Sequence, residues 1–427
     1  MERNMNEGDA VRIIAPEDKK LKGEIKLPFS KSVSNRVLII KLLSDSNCEL
    51  KNLSESQDTK SLISVLENIN NDEINAGSGG TTFRFIMALL SLLPGKRKLT
   101  CSEQMKNRPI EALVSALQDL GADISYDEET GKPPLFITGR NLIGGSIELD
   151  ASISSQYLSA IAMIAPYCKN GINVTLKGDM VSRPYLEMTL RIMSKFGAEY
   201  SWEGNVLSVE PGAYEMPESY EIEPDWSAAS YWYELAAFSN EAQIKLKGLN
   251  KSNLQADCAV SRIYKGFGVD SYFSEDGVEL VKLDDSTRIS HKRLELLHNP
   301  DLAQTVAVTI AGLGSSGTLL GLKTLKVKET DRIEALRIEL TRLGAEVDVI
   351  DDTEIIVDRT KSLPVSAHIN TYGDHRMAMS FAPLALVMES VTIENPKVVA
   401  KSYPNFWEDL EKMGFEIESI TEEVKSS

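Results

Sequence analysis

At 427 residues the chain exceeds one ordinary core, so two domains are expected. A hydrophobic content of 42% with 26% charged residues is that of a globular protein, and the longest apolar run, around Tyr157 to Pro166, is too short to span a bilayer. The formal net charge of −17 repels nucleic acid and anionic membranes at long range, which leaves small anions gathered by local cations as the expected ligands.

In chain order, Val11 to Ala15 predicts a strand that pairs with the C-terminal half. Leu27-Pro28-Phe29-Ser30 then leads into a first buried helix starting near Lys31, and Asp58 opens a second, amphipathic one. From there the two helix types alternate. Buried helices start near Thr81, Ser154, Asp225, Asp301 and His375, each leading into an apolar run such as Phe85-Ile-Met-Ala-Leu-Leu. Between them, helices from Arg108, Arg183, Asp257 and Ser402 run to Gly121, Gly197, Gly268 and Gly414. The stretch from Lys326 belongs to this second series. It begins like a strand, turns through Glu329-Thr330-Asp331, and becomes a helix with Ile333, Leu336, Leu340 and Leu343 on one stripe, ending at Gly344. Short alternating segments at Leu176, Leu207-Ser-Val, Glu279-Leu-Val and Glu354-Ile-Ile-Val predict strands.

The two series share a period. Glycines 121, 197, 268, 344 and 414 are separated by 76, 71, 76 and 70 residues, and the last five buried-helix starts by 73, 71, 76 and 74. Six strand-helix-strand-helix-strand-strand units follow, three to a domain. The crossings are expected at Leu27-Pro28-Phe29-Ser30 and Glu223-Pro224-Asp225, so that residues 1–29 with 224–427 form one lobe and residues 30–223 the other. A cleft between the lobes is the expected ligand site.

Polar residues collect where the helices start. Ser30-Lys31-Ser32-Val33-Ser34-Asn35-Arg36 stands at the first buried helix. Gly77-Ser78-Gly79-Gly80-Thr81-Thr82-Phe83-Arg84 stands at the second, where glycines let an anion approach free backbone N–H groups. Ser154-Ser155-Gln156 opens the third, Asn299-Pro300-Asp301 the fifth and Gly373-Asp374-His375-Arg376 the sixth. The alternate series adds Arg108, Ser182, the Lys328-Glu329-Arg332 cluster and Lys401. Such placement fits a substrate with several negative charges.

Other chemistries find no support. Gly312-Leu-Gly-Ser-Ser-Gly317 matches GxGxxG, but it follows a helix and precedes a strand, the reverse of a dinucleotide site. Cys48, Cys101, Cys168 and Cys258 form no CxxC pair, and the four histidines lack zinc-site spacing, so structural thiols and no metal are expected. Scattered reduced thiols and an N-terminal stretch without an apolar segment point to the cytoplasm.

The motifs Ser-Lys-Ser-Val-Ser-Asn-Arg, Gly-Gly-Thr-Thr-Phe-Arg, Asn-Arg-Pro-Ile, Ser-Ser-Gln-Tyr-Leu, Val-Ser-Arg-Pro-Tyr, Val-Lys-Glu-Thr-Asp-Arg-Ile and Gly-Asp-His-Arg-Met-Ala-Met, in order from Lys31 to Lys401, resemble the EPSP synthase family of enolpyruvyl transferases. The resemblance implies a two-lobed inside-out α/β barrel of six βαβαββ repeats. It also implies transfer of the enolpyruvyl group of phosphoenolpyruvate to the 5-hydroxyl of shikimate 3-phosphate, in the pathway to chorismate and the aromatic amino acids, by a monomer needing no cofactor. Carried over residue by residue, shikimate 3-phosphate contacts fall on Lys31, Ser32, Arg36, Ser154, Ser155, Gln156, Ser182, Asp301 and Lys328. Phosphoenolpyruvate contacts fall on Lys31, Gly80, Arg108, Gln156, Arg332, Arg376 and Lys401.

Asp301 is the expected base at the 5-hydroxyl, and Glu329 the group serving C3, with Lys31 a further proton carrier. Two positions depart from the family pattern: Ser78-Gly79 replaces an Asn-Ala pair, and Thr324 replaces a substrate-binding Asn. The alternatives are the related transferase acting on UDP-N-acetylglucosamine, which has Lys-Asn where this chain has Lys31-Ser32, and a non-catalytic phosphometabolite-binding protein, which would need neither Asp301 nor Glu329.

Overall fold

Side chains alternate along a strand, and in this chain the alternation is also one of burial. Glu241–Lys247 turns Ala242, Ile244 and Leu246 inward and its polar and charged neighbours outward. A sheet built from such strands needs helices on one face only. In this computed structural model, which describes residues 9–150, 155–178, 180–251, 254–283, 291–358 and 362–420, that cover comes from helices buried on every side.

The chain divides into two compact units, Met1–Pro28 with Pro224–Ser427, and Phe29–Glu223. In the first unit the helices Trp226–Phe238, Ala303–Gly312 and His375–Phe381 are buried along almost their whole length. In the second, Gly80–Leu92 and Ser155–Ile164 are equally enclosed, and Lys31–Leu43 partly so. Helices inside and sheets outside make each unit an inside-out α/β assembly. Each fully buried Leu or Ile contributes about 1.5–3 kcal/mol.

Six sheets form among the described residues, and five share one order: a parallel pair followed by two antiparallel neighbours. The sixth is a single parallel pair, Glu49–Lys51 with Ser219–Glu221. The N-terminal strand Ala10–Ile14 lies between Ser390–Glu394 and Glu416–Ile420, antiparallel to both, which ties that terminus to the C-terminal half as expected.

The second helix series occupies Gln57–Glu67, Glu111–Asp119, Arg183–Lys195, Val260–Lys265, Arg332–Arg342 and Phe406–Lys412. The five glycines that follow these helices from the second onward all take positive φ, between 82° and 103°, as a left-handed helix terminus requires. Ile333, Leu336, Leu340 and Leu343 form the expected buried stripe. The start of that stretch differs from expectation. Lys323–Val327 is a 3₁₀ turn and not a strand. Leu322 and Leu325 are both fully buried, and residues three apart share a side in a tight helical turn but oppose each other in a strand.

Candidate functional site

In the first unit the cluster is built around one guanidinium. Arg332 begins its helix, and Asp331 caps that helix by accepting from Glu334 N at 3.1 Å. Only 1% of the Arg332 side chain is exposed, yet three carboxylates reach it. Nε donates to Asp374 Oδ2 at 2.7 Å, Nη1 to Asp301 Oδ1 at 3.1 Å and Nη2 to Glu329 Oε2 at 2.8 Å. Burial opposes the charge on Arg332, but Asp374, Glu329 and Asp301 together overcome it and hold the group protonated.

Asp374 is fully buried and also caps the helix His375–Phe381 by accepting from Arg376 N at 2.8 Å. It therefore fixes two arginines at once. Arg376 turns back onto Asp301, donating from Nη2 to Oδ2 at 2.9 Å and from Nη1 to the main-chain carbonyl at 3.2 Å. Lys328 Nζ stands 3.5 Å from Asp301 Oδ1, and burial lowers its proton affinity against the pull of Asp301. Lys401, at the end of the 3₁₀ segment Pro396–Lys401, donates to the carbonyl of Gly373, next to the capping Asp374. Thr324 is buried in the 3₁₀ turn before Lys328.

The second unit holds its own polar cluster. Lys31 opens its helix behind the cap Ser30 and donates to Asp58 Oδ2 at 2.9 Å, with both side chains 19% exposed. Gly80 starts the helix Gly80–Leu92 beneath two arginines. A Cβ placed there would come within 2.7 Å of Arg84 Nη1 and closer still to Arg108 Nη1, so any side chain at this position must displace both guanidinium groups. Arg84 is buried, donates to Gln156 Oε1 and to the Pro109 carbonyl, and lies over the Tyr157 ring. It thereby orients the amide of Gln156. Arg108 Nε is buried and makes no hydrogen bond among the described residues.

Ser155 begins the helix Ser155–Ile164 and is buried. Ser182 precedes the helix Arg183–Lys195 at φ 54°, a left-handed conformation that a serine adopts at a cost of about 1–3 kcal/mol. Ser154 lies outside the described residues. Arg36 is turned into the helix layer. It donates to Thr189 Oγ1 at 2.6 Å, the Ser32 carbonyl at 2.8 Å and the Tyr185 carbonyl at 3.3 Å, and burial brings it down to about 10.

Five predicted residues of the first unit (Asp301, Lys328, Glu329, Arg332 and Arg376) are thus joined in one ion-pair network, with Lys401 beside it. Asp374, Asp58 and Arg84 are partners that sequence reasoning placed in motifs or at helix starts but not in the site. Their signal is geometric, since Arg84 and Gln156 are 72 residues apart and Arg332 and Asp374 are 42 apart. Cys101 is buried, which pushes its thiol up to about 11 and fits an inert, structural thiol.

The sequence profile of the family described as EPSP synthase (3-phosphoshikimate 1-carboxyvinyltransferase) matches residues 16–75 and 67–410. A 3-phosphoshikimate 1-carboxyvinyltransferase of Bacteroides fragilis (strain YCH46) is 43% identical over 413 residues, covering 95% of this chain and 99% of the relative. One of Sulfurovum sp. (strain NBC37-1) is 35% identical over 423 residues, covering 92% and 97%. The solved EPSP synthase of Acinetobacter baumannii shares the fold, with a TM-score of 0.76 at 23% identity, covering 96% of this chain and all of that one.

Proposed function

The chain belongs to the EPSP synthase (3-phosphoshikimate 1-carboxyvinyltransferase) family, and on that premise we propose how its own residues carry the transfer. It is a transferase of the shikimate pathway, moving the enolpyruvyl group of phosphoenolpyruvate to the 5-hydroxyl of shikimate 3-phosphate and releasing phosphate, toward chorismate and the aromatic amino acids.

The reaction adds the 5-oxygen to C2 of the enol while C3 gains a proton. The tetrahedral adduct then loses a proton from C3 and expels phosphate, restoring the double bond. Asp301 takes the hydroxyl proton, and Glu329 moves the proton at C3, with Lys31 a second carrier. A positioned acid or base of this kind contributes about 10²–10⁴ in rate. Protonation of C3 leaves positive character at C2, which bond formation with the 5-oxygen removes.

Phosphoenolpyruvate is held by Arg108, Arg332 and Arg376, whose planar guanidinium groups suit carboxylate and phosphate, and by the ammonium of Lys401, with Gly80, Gln156 and Lys31 as further contacts. Shikimate 3-phosphate is held by Lys31, Ser32, Ser155, Gln156, Ser182, Asp301 and Lys328. Arg36 acts on that substrate by fixing the backbone of Ser32. Ion pairs such as Lys31 with Asp58 and Arg376 with Asp301 keep the cations apart until ligand anions replace the carboxylates. The enzyme works as a monomer in the cytoplasm. No described helix is long and apolar enough to cross a membrane.

The observation that carries the acid–base assignment is the meeting of Asp301 and Glu329 on one buried guanidinium, at 3.1 and 2.8 Å. A coupled assay tests the activity: phosphate release from phosphoenolpyruvate must require shikimate 3-phosphate. Release at the same rate without it contradicts the proposal.

A further inference from the structure

Behind Asp301 lies a second carboxylate that no step above uses. Asp257 is buried in the short 3₁₀ turn Ala256–Ala259. Ser227, from the first turn of the helix Trp226–Phe238, donates to its Oδ2. Asn299 Nδ2 reaches its Oδ1 at 3.4 Å, and the Asn299 carbonyl accepts from Leu302 N at 3.0 Å, closing the turn that carries Asp301. Ser227 and Asn299 are both neutral donors, and keeping a charge on a buried carboxylate costs free energy.

We propose that Asp257 is a positioning residue for the transfer: it anchors the Asn299–Leu302 turn and, through its negative charge, keeps Asp301 basic despite the cations around it. The need follows from the site itself. Asp301 accepts from Arg332 and Arg376 and faces Lys328, and three cations make a carboxylate a poor base. A like charge on the far side of the turn offsets them. The charged groups that Asp257 feels are Asp301, which raises its proton affinity, and Arg376, which lowers it. Burial first and Asp301 second push Asp257 up to about 6, so its charge is present at neutral pH and lost in mild acid. Two carboxylates coupled in this way titrate as a pair.

The inference rests on Asp301 being the base, and the pH profile of the intact enzyme tests it. For wild type, kcat/KM for shikimate 3-phosphate falls on the acid side as the Asp257–Asp301 pair takes up a proton. Asp257→Asn, which keeps the shape and removes the charge, loses that limb or moves it at least one pH unit lower. Its plateau drops by about tenfold, the loss expected when a general base is weakened by a unit or more. Ser227→Ala removes a donor that stabilises the carboxylate, so it moves the limb upward and serves if the first variant does not fold.

An acid limb unchanged in Asp257→Asn, or unmoved in Ser227→Ala, overturns the proposal, because an anchor alone lowers the rate without shifting the profile. Inactivity of wild type would instead overturn the proposed transfer.

Discussion

Arg376 grips Asp301 at two points, the carboxylate through Nη2 at 2.9 Å and the main-chain carbonyl through Nη1 at 3.2 Å. The double contact fixes the turn that carries the proposed base, and it also occupies an arginine proposed to bind phosphoenolpyruvate. On that proposal, ligand binding exchanges the Asp301 carboxylate on Arg376 for a ligand anion, which releases Asp301 for proton transfer.

Asp301→Asn tests that role. The amide preserves size and can still accept from Arg376, but it takes up no proton. The expected result is a kcat lower by about 10²–10⁴ with KM for shikimate 3-phosphate changed by only a few fold. A kcat within a few fold of wild type contradicts the assignment.

Gly80→Ala separates the two substrates. The added Cβ meets Arg84 and Arg108, and both guanidinium groups must shift to admit it. Loss of one well-formed charge-assisted contact, about 1.5–3 kcal/mol, raises KM for phosphoenolpyruvate by at least about tenfold. KM for shikimate 3-phosphate stays within about twofold. Equal increases for both substrates contradict the placement of Gly80 at phosphoenolpyruvate.

Asp374→Ala is a stability test. The carboxylate is fully buried, pairs with Arg332 and caps the helix His375–Phe381. Its removal leaves a buried guanidinium short of a partner, at a cost of about 3–5 kcal/mol. Urea unfolding of the variant reads the loss, and a change below about 1 kcal/mol contradicts the role given to Asp374.

Glu234 supplies a pH test remote from the site. It is fully buried, accepts from Thr309 Oγ1 at 3.3 Å through Oε1, and burial raises its proton affinity well above the ordinary range. The folded state then keeps a proton that the unfolded state releases, so stability falls as pH rises above the unfolded value near 4.3. The slope is about 1.4 kcal/mol per pH unit until the folded value is reached. Glu234→Gln cannot ionise. Its stability relative to wild type should rise with pH above the unfolded value near 4.3, as read by urea unfolding at several pH values. A difference independent of pH contradicts the buried protonated state.

Much of the fold was legible because its signals are local. The glycines at 121, 197, 268, 344 and 414 mark helix ends that need positive φ, and the apolar runs after Thr81, Asp225, Asp301 and His375 mark helices buried on all sides. The 3₁₀ turn at Lys323–Val327 was not legible, because a short stretch with Lys323 and Lys326 around buried Leu325 fits strand or tight turn until the packing of Leu322 decides. In the site, sequence supplied the cations and the two acids but not the buried partners that orient them. Nothing in the order of residues says that Arg84 aims Gln156, that Asp374 holds Arg332, or that Asp257 stands behind Asp301. Those pairings exist only once distant helix starts are folded onto one another.

The central claim is transfer of an intact enolpyruvyl group to the 5-oxygen of shikimate 3-phosphate. Phosphoenolpyruvate labelled with ¹³C at C2 and C3, mixed with shikimate 3-phosphate and the wild-type enzyme, follows it by NMR. The account predicts that both labelled carbons move into an enol ether on the 5-oxygen as one equivalent of phosphate appears. Labelled pyruvate, or label left in phosphoenolpyruvate while shikimate 3-phosphate is unchanged, would contradict it.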